Sequence, residues 1–314
     1  MLYIPLAWFK SERPEGQRVD FLFYIVYMPK KQTVKGKYCA PSSEPRKSGE
    51  SCYTRVQLVN IAKAYNRQYA SKIATTGNKS ELWQAIEQKM MDKCSNEWCW
   101  QDKMNMSGKD KIFRVERPVG KYQWLSTIDI RNVLKQYENK YSDFVFLGPV
   151  PRDFCNLGGN EVCNINLKSS RTNGKTKIGI VFNTDPSSES GKHWISMFID
   201  ISNPDPKKHE IGYFDSYGMA PLLPEIKSLV KKLQAQNPHI KLKLNCNSEM
   251  CTHTIQHQMN NSECGMYSIN YIVERLTGKS WEELIVNQRW EDEEMVDMRR
   301  KYFRPAIGGD RHAH

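Results

Sequence analysis

Long apolar runs are missing from this sequence. The longest, Phe21–Met28, has eight residues, well short of the roughly 20 that a membrane-spanning helix needs, so no membrane partner is expected. A positively charged start followed by an apolar stretch, the mark of a secretory leader, is also missing. The nine cysteines are odd in number and scattered, which argues against the disulfide framework of a small secreted scaffold. A reducing intracellular setting is the simpler expectation, and a free thiol nucleophile would need it. Tightly paired metal-ligand spacings are lacking too. Cys94 and Cys99 stand five positions apart, with only Cys39 and Cys52 to complete a set of four. They are read as ordinary cysteines, with no metal or other cofactor.

What is present is enough for a large core: 314 residues make one large domain or two ordinary ones. The formal charge of +11 is uneven. Residues 1–120 carry 21 Lys+Arg against 12 Asp+Glu, and residues 121–314 carry 25 against 23. The basic excess therefore belongs to the front. A polyanion partner such as nucleic acid is one explanation, and a solvated surface is the other.

Along the chain, Phe21–Met28 reads as a buried strand, and Pro29–Ser51, rich in Lys, Ser, Pro and Gly, as a mobile exposed loop. Helical spacing follows over Arg55–Tyr69 and Lys79–Met91, with Ser80 as a cap for the second. This pair around a Gly-Asn-Lys loop resembles the small helix-loop-helix nucleic-acid modules of the SAP type; it equally fits a helical pair that braces a main domain. Ser126–Asp129 caps a helix reaching about Tyr141. Strands are expected at Lys177–Asn183, His193–Ile201, Glu210–Ser216 and Ile240–Cys246, with an amphipathic helix at Pro224–Gln234. Strands first and a helix last give an α+β class, a mixed central sheet packed by helices.

That last helix carries the chemistry. Met266, Ile269, Ile272, Val273 and Leu276 form its apolar stripe up to Gly278, which places Cys264 in its first turn. Unpaired N–H groups and the helix dipole there favour a thiolate over a thiol. A small buried cysteine opening a core helix is the competing reading. A thiol nucleophile needs a base, a group to orient the base, and donors for an oxyanion. His193, at a strand start after Ser-Gly-Lys, is the best placed base, with His253 and His257 as alternatives. Asp215 closes the next strand, so antiparallel pairing can bring it level with His193. Gln258, shortly before Cys264, can supply an oxyanion donor beside the Cys264 backbone N–H.

His193-Trp194, Asp215-Ser216 and Gln258-x5-Cys264-Gly265 resemble, in this order, the cysteine proteases of the SUMO-protease and adenovirus-protease superfamily. Within it the likeness leans to the polyprotein proteases of large DNA viruses, of the African swine fever virus type. The stretches Asn183–Trp194, Tyr213–Ser216, Gln258–Ser268 and Met295–Arg304 carry it, and it thins out before residue 50. The resemblance implies His193 as general base, Asp215 as its orienter, Gln258 as oxyanion donor and Cys264 as nucleophile. Trp194 would flank the substrate channel and Asn183 would lie near the oxyanion. It further implies cleavage of a viral structural polyprotein after Gly-Gly-type sites, at the assembly site in the host cytoplasm and in the virion. Aspartate at 215 departs from the asparagine of the African swine fever virus type but is usual elsewhere in the superfamily. The expected domains are a mainly helical basic arm (1–119), a catalytic domain (120–305) and a tail (306–314), with the arm holding substrate or binding nucleic acid.

Overall fold

The fold is taken from a computed structural model that describes residues 35–44, 49–159, 161–218, 223–245 and 255–306. The strand expected at Phe21–Met28 lies outside them. In the front part, Thr54 and Gln57 cap reciprocally, each side chain accepting from the other's backbone N–H, and so start α1 (Arg55–Gln68). Asn78 opens α2 (Lys79–Met90) by accepting from the Ser80 and Glu81 N–H groups. The cap is therefore Asn78, and Ser80 already lies inside the helix. Two short helices, α3 (Trp98–Lys103) and α4 (Lys109–Ile112), follow. Together these elements enclose a core of their own, with Tyr53, Leu58, Ile86, Trp100 and Phe113 at its centre.

Two expectations for this region change. Within the stretch read as a mobile loop, Cys39 and Ala40 are buried, and Cys39 bridges Phe113. Glu97, 1% exposed, holds the same stretch by accepting from the N–H groups of Gly36 and Cys52, the Ser51 hydroxyl and the Trp83 indole. The cysteines are not ordinary thiols: Cys39–Cys52, Cys94–Cys99 and Cys155–Cys163 are disulfides. Folding brings the α-carbons of the first two pairs to 5.3 and 5.7 Å, within disulfide reach, a proximity that sequence spacing does not reveal. Among the described residues Cys264 is the free cysteine.

The rest is a layered α+β unit, as expected. It opens with α5 (Thr127–Glu138), capped by Ser126, and β1 (Phe144–Phe146), followed by α6 (Leu167–Thr172). Then come β2 (Lys177–Asn183), β3 (Trp194–Asp200), β4 (Glu210–Phe214), α7 (Pro224–Gln236) and β5 (Lys241–Lys243). The chain closes with α8 (Cys264–Leu276), α9 (Trp281–Ile285) and α10 (Asp292–Tyr302). The sheet runs in the order β1-β2-β3-β4-β5, antiparallel in the middle and parallel at both outer pairs. Its central strands are buried on both faces, which is why they read as continuous apolar runs. Ile180, Met197, Ile211 and Tyr213 face Ile226, Leu229 and Leu233 of α7. Val181, Phe198 and Phe214 face the α8 residues Ile269 and Ile272, with α5 and α10 flanking them. Thus the helix that begins at Cys264 is packed along the centre of the sheet, and its start is fixed relative to the ends of β3 and β4.

Candidate active site

The β3–β4 ladder pairs Ser196 with Phe214, so the residues just beyond it, His193 on one side and Asp215 and Tyr217 on the other, meet at one sheet end. His193 Nε2 and Asp215 Oδ1 are 2.7 Å apart. The same Asp215 oxygen accepts from the Tyr217 backbone N–H at 3.0 Å. Tyr217 also lays its ring against the imidazole, 4.8 Å between centroids. Behind them the buried Asn245 grips the Asp215 backbone, accepting from its N–H at 2.9 Å and donating to its carbonyl at 2.6 Å. The carboxylate is therefore fixed from three directions, which pre-sets the ring orientation.

The other ring nitrogen, Nδ1, is buried and has no well-aligned hydrogen-bond partner among the described residues, while Cys264 lies close enough to act on the ring. Burial is the largest influence on the imidazole and lowers its pKa. Hydrogen bonding to Asp215 and Cys264, and their charges, outweigh that, and the pKa is pushed up to about 9. Cys264 itself is 3% exposed. The residue after it must be small: a Cβ on Gly265 would sit 3.0 Å from the Leu125 Cβ. That close approach lets Leu125 pack against the start of α8, and the Trp194 indole N–H fastens it by donating to the Leu125 carbonyl at 2.9 Å.

Gln258 is wholly buried and joins the same cluster. Its backbone N–H donates to the Ser216 carbonyl (2.8 Å), and its Oε1 accepts from the Ser216 hydroxyl (2.7 Å). Its amide nitrogen donates to the Asn260 carbonyl at 2.5 Å and to the Tyr217 hydroxyl at 3.2 Å. Asn183 and Trp194 line a cleft of about 590 Å³ with Trp124, Pro149 and Gly191. Gly191 has φ +86°, and a Cβ there would meet the Asn183 amide at 2.5 Å, so only glycine allows that turn. A second cleft, also about 590 Å³, lies on the other side of Trp124, between Tyr122, the Asn260–Glu263 loop and Asp292.

All six residues singled out in the sequence thus fall in one region, five of them at the ends of β2, β3, β4 and α8 and Gln258 in the loop that docks on Ser216. Of the alternative bases, His253 lies outside the described residues. His257 is held by the Trp290 N–H, which donates to its Nδ1 at 3.1 Å, and by the Ile285 carbonyl, 3.3 Å from its Nε2. Burial lowers its pKa to about 4, and with both nitrogens occupied it cannot serve as a base. Tyr217 and Trp124 were not singled out. Tyr217 follows Asp215-Ser216 directly, and Trp124 precedes the α5 cap; neither position carries a motif that a single sequence reveals.

A thiol, an imidazole and a carboxylate gather at the start of α8, the groups that thiol-hydrolase chemistry requires. The model of the Ulp1 protease family, C-terminal catalytic domain, matches residues 159–308. A protein of Acanthamoeba polyphaga mimivirus named for thiol-protease activity is 32% identical over 288 residues, 82% of this chain and 90% of that protein. A "SUMO-1 cysteine protease" of African swine fever virus is 36% identical over 130 residues, 41% of this chain and 44% of that protein. In fold, the crystal structure of an African swine fever virus protease covers 88% of this chain and 99% of its own, with a TM-score of 0.58 at 22% identity. The chain belongs to the Ulp1 family of cysteine proteases, and these relatives are viral. Among the described residues, no helix is long and apolar enough to cross a membrane.

Proposed function

We propose that the protein is an endopeptidase that cleaves a viral structural polyprotein after Gly-Gly-type sites during virion maturation, at the host-cell assembly site and in the particle. One observation carries the reading: the 2.7 Å His193–Asp215 contact beside Cys264 at the start of α8. Residues 120–305 form the catalytic unit and residues 1–119 an accessory arm. Cys264 gives its proton to His193 Nδ1, and the sulfur attacks the scissile carbonyl carbon, moving the C=O electron pair onto oxygen. The oxyanion is met by the Cys264 backbone N–H and by the Gln258 amide, which exchanges its longer bond, that to Tyr217, for the substrate. The imidazolium then protonates the leaving nitrogen as the C–N bond breaks. Water, deprotonated by the same ring, attacks the thioester and releases the acid and the thiol. Asp215 keeps the ring aimed throughout.

The preference for glycine rests on access. The thiol is nearly covered, and Trp124 and Trp194 wall the adjoining cleft. A segment without side chains is the one that fits. Removal of ubiquitin-like proteins after their Gly-Gly ends is the second reading, favoured by the name of the African swine fever virus relative. A panel of Gly-Gly peptides set against a ubiquitin-like fusion separates the two; faster cleavage of the folded modifier decides for the second. Cys264→Ala, still folded, must lose all cleavage, because a binding protein on a protease fold would keep its function. The basic arm is proposed to bind nucleic acid. Affinity should fall steeply with salt and disappear without residues 1–119; salt-independent binding, or none, discards that role.

A further inference from the structure

The buried face of α10 is unusually polar. Asp292, Met295, Arg299 and Tyr302 recur at three, four and three residues and are all buried, yet only Met295 is apolar. Each polar side chain reaches the nucleophile helix or the loop before it. Asp292 Oδ2 accepts from the backbone N–H groups of Met259 (3.0 Å) and Asn260 (2.8 Å), the two residues after Gln258. Its Oδ1 accepts from the Tyr267 hydroxyl at 3.0 Å, one turn into α8. Arg299 forks onto Glu263, the residue before Cys264, with both bonds at 3.0 Å, and donates to the Gln123 carbonyl at 2.7 Å, next to Trp124. Tyr302 donates to Asn270 of α8 at 2.6 Å. Apolar side chains would pack here without the desolvation of two charges, so packing alone does not account for this face.

The loop that Asp292 grips is the one that sets Gln258. The Asn260 N–H is held by Asp292 while the Asn260 carbonyl accepts from the Gln258 amide and the Tyr217 hydroxyl. Asn260 thus links the two, and a shift of this residue would move the Gln258 amide with it. We propose that Asp292 is a positioning residue of the reaction: it fixes the Gln258–Asn260 loop against α8 so that the Gln258 amide stands ready to meet the oxyanion. Arg299, on the same face, neutralises the buried Glu263 beside the nucleophile. This inference rests on the protease reading, with Gln258 as oxyanion donor.

The test uses Asp292→Asn in the full chain. Both loop N–H groups bond to the same oxygen, Oδ2, so the amide either turns its NH2 to them and loses both bonds or presents its oxygen and keeps them without the carboxylate's charge. Each weakens the grip with little change in volume. On a Gly-Gly peptide, kcat should fall about 10- to 100-fold with KM nearly unchanged, the mark of an interaction made in the transition state. Alkylation of Cys264 by iodoacetamide, a displacement that forms no oxyanion, should stay within about twofold. A merely structural role would lower both rates together. Tyr267→Phe, which removes the hydroxyl bond to Asp292 but leaves the loop contacts, should lower stability without splitting the two rates. Equal kcat in Asp292→Asn and the parent, or an equal loss of peptide cleavage and alkylation, overturns the inference. Should the parent cleave no peptide at all, the protease reading fails, but amide hydrogen exchange still decides the positioning. Met259 and Asn260 should exchange at least about tenfold faster in Asp292→Asn while α8 stays protected, and unchanged protection there refutes the role.

Discussion

Two histidines, His193 partly buried and His257 fully buried, flank the loop before Cys264, and they have been driven to opposite ends of the imidazole range. His193 has a carboxylate at 2.7 Å and a thiol on its other side, and its pKa is pushed up to about 9. His257, immediately before Gln258, has a peptide N–H on one nitrogen and a carbonyl on the other, and burial takes it to about 4. Burial works on both in the same direction. What separates them is whether a charged partner is buried with the ring. The first can hold and hand over a proton; the second is a neutral strut between Trp290 and Ile285.

The largest test of that contrast is on activity. His193→Ala and Cys264→Ala should each lower kcat/KM by at least about 10⁴-fold, whereas His257→Phe should stay within about threefold, as measured on one peptide substrate. Next comes the charged partner. Asp215→Asn should reduce kcat by about 10²- to 10⁴-fold and move the alkaline limb of the pH profile down from about 9.

Stability should show the two histidines with opposite signs. The raised pKa of His193 gives stability that is full below about 6.5 and is lost as pH rises through about 9. The lowered pKa of His257 works the other way: the unfolded chain takes up a proton that the folded ring refuses. Stability is then full above about 6.5 and falls by about 3 kcal/mol as pH drops to about 4. Urea titrations at a series of pH values read both windows, and a parent with no acid limb would break the assignment of His257. Smallest is the strut itself. His257→Phe leaves the Trp290 N–H and the Ile285 carbonyl unpaired, about 1–3 kcal/mol, and should abolish that acid limb.

The sequence carried the parts whose information is local. The strand Lys177–Asn183 shows in its composition, the α8 stripe in its period, and the Ser126 cap in one side chain. Hence β2, α8 and the starts of two helices stand out, and with β3 and β4 in place the sequence pairs His193 with Asp215. What failed or went unseen depends on distant segments. The disulfide of Cys39 with Cys52 needs the bridge to Phe113. Asp292 and Arg299 look like ordinary charges of an exposed, acid-to-basic helix, and only the packing of α10 on α8 shows that they face inward. Tyr217 has meaning only once β3 and β4 set it over the imidazole. The sequence favours His193 as the base, and the fold adds that both ring nitrogens of His257 are occupied.

The most direct test is an NMR titration of the His193 imidazole in the full-length protein and in Asp215→Asn. The account predicts a midpoint near 9 in the parent, with a clear fall when the carboxylate is replaced by an amide. A parent midpoint at or below about 6.5, indifferent to Asp215→Asn, would contradict it.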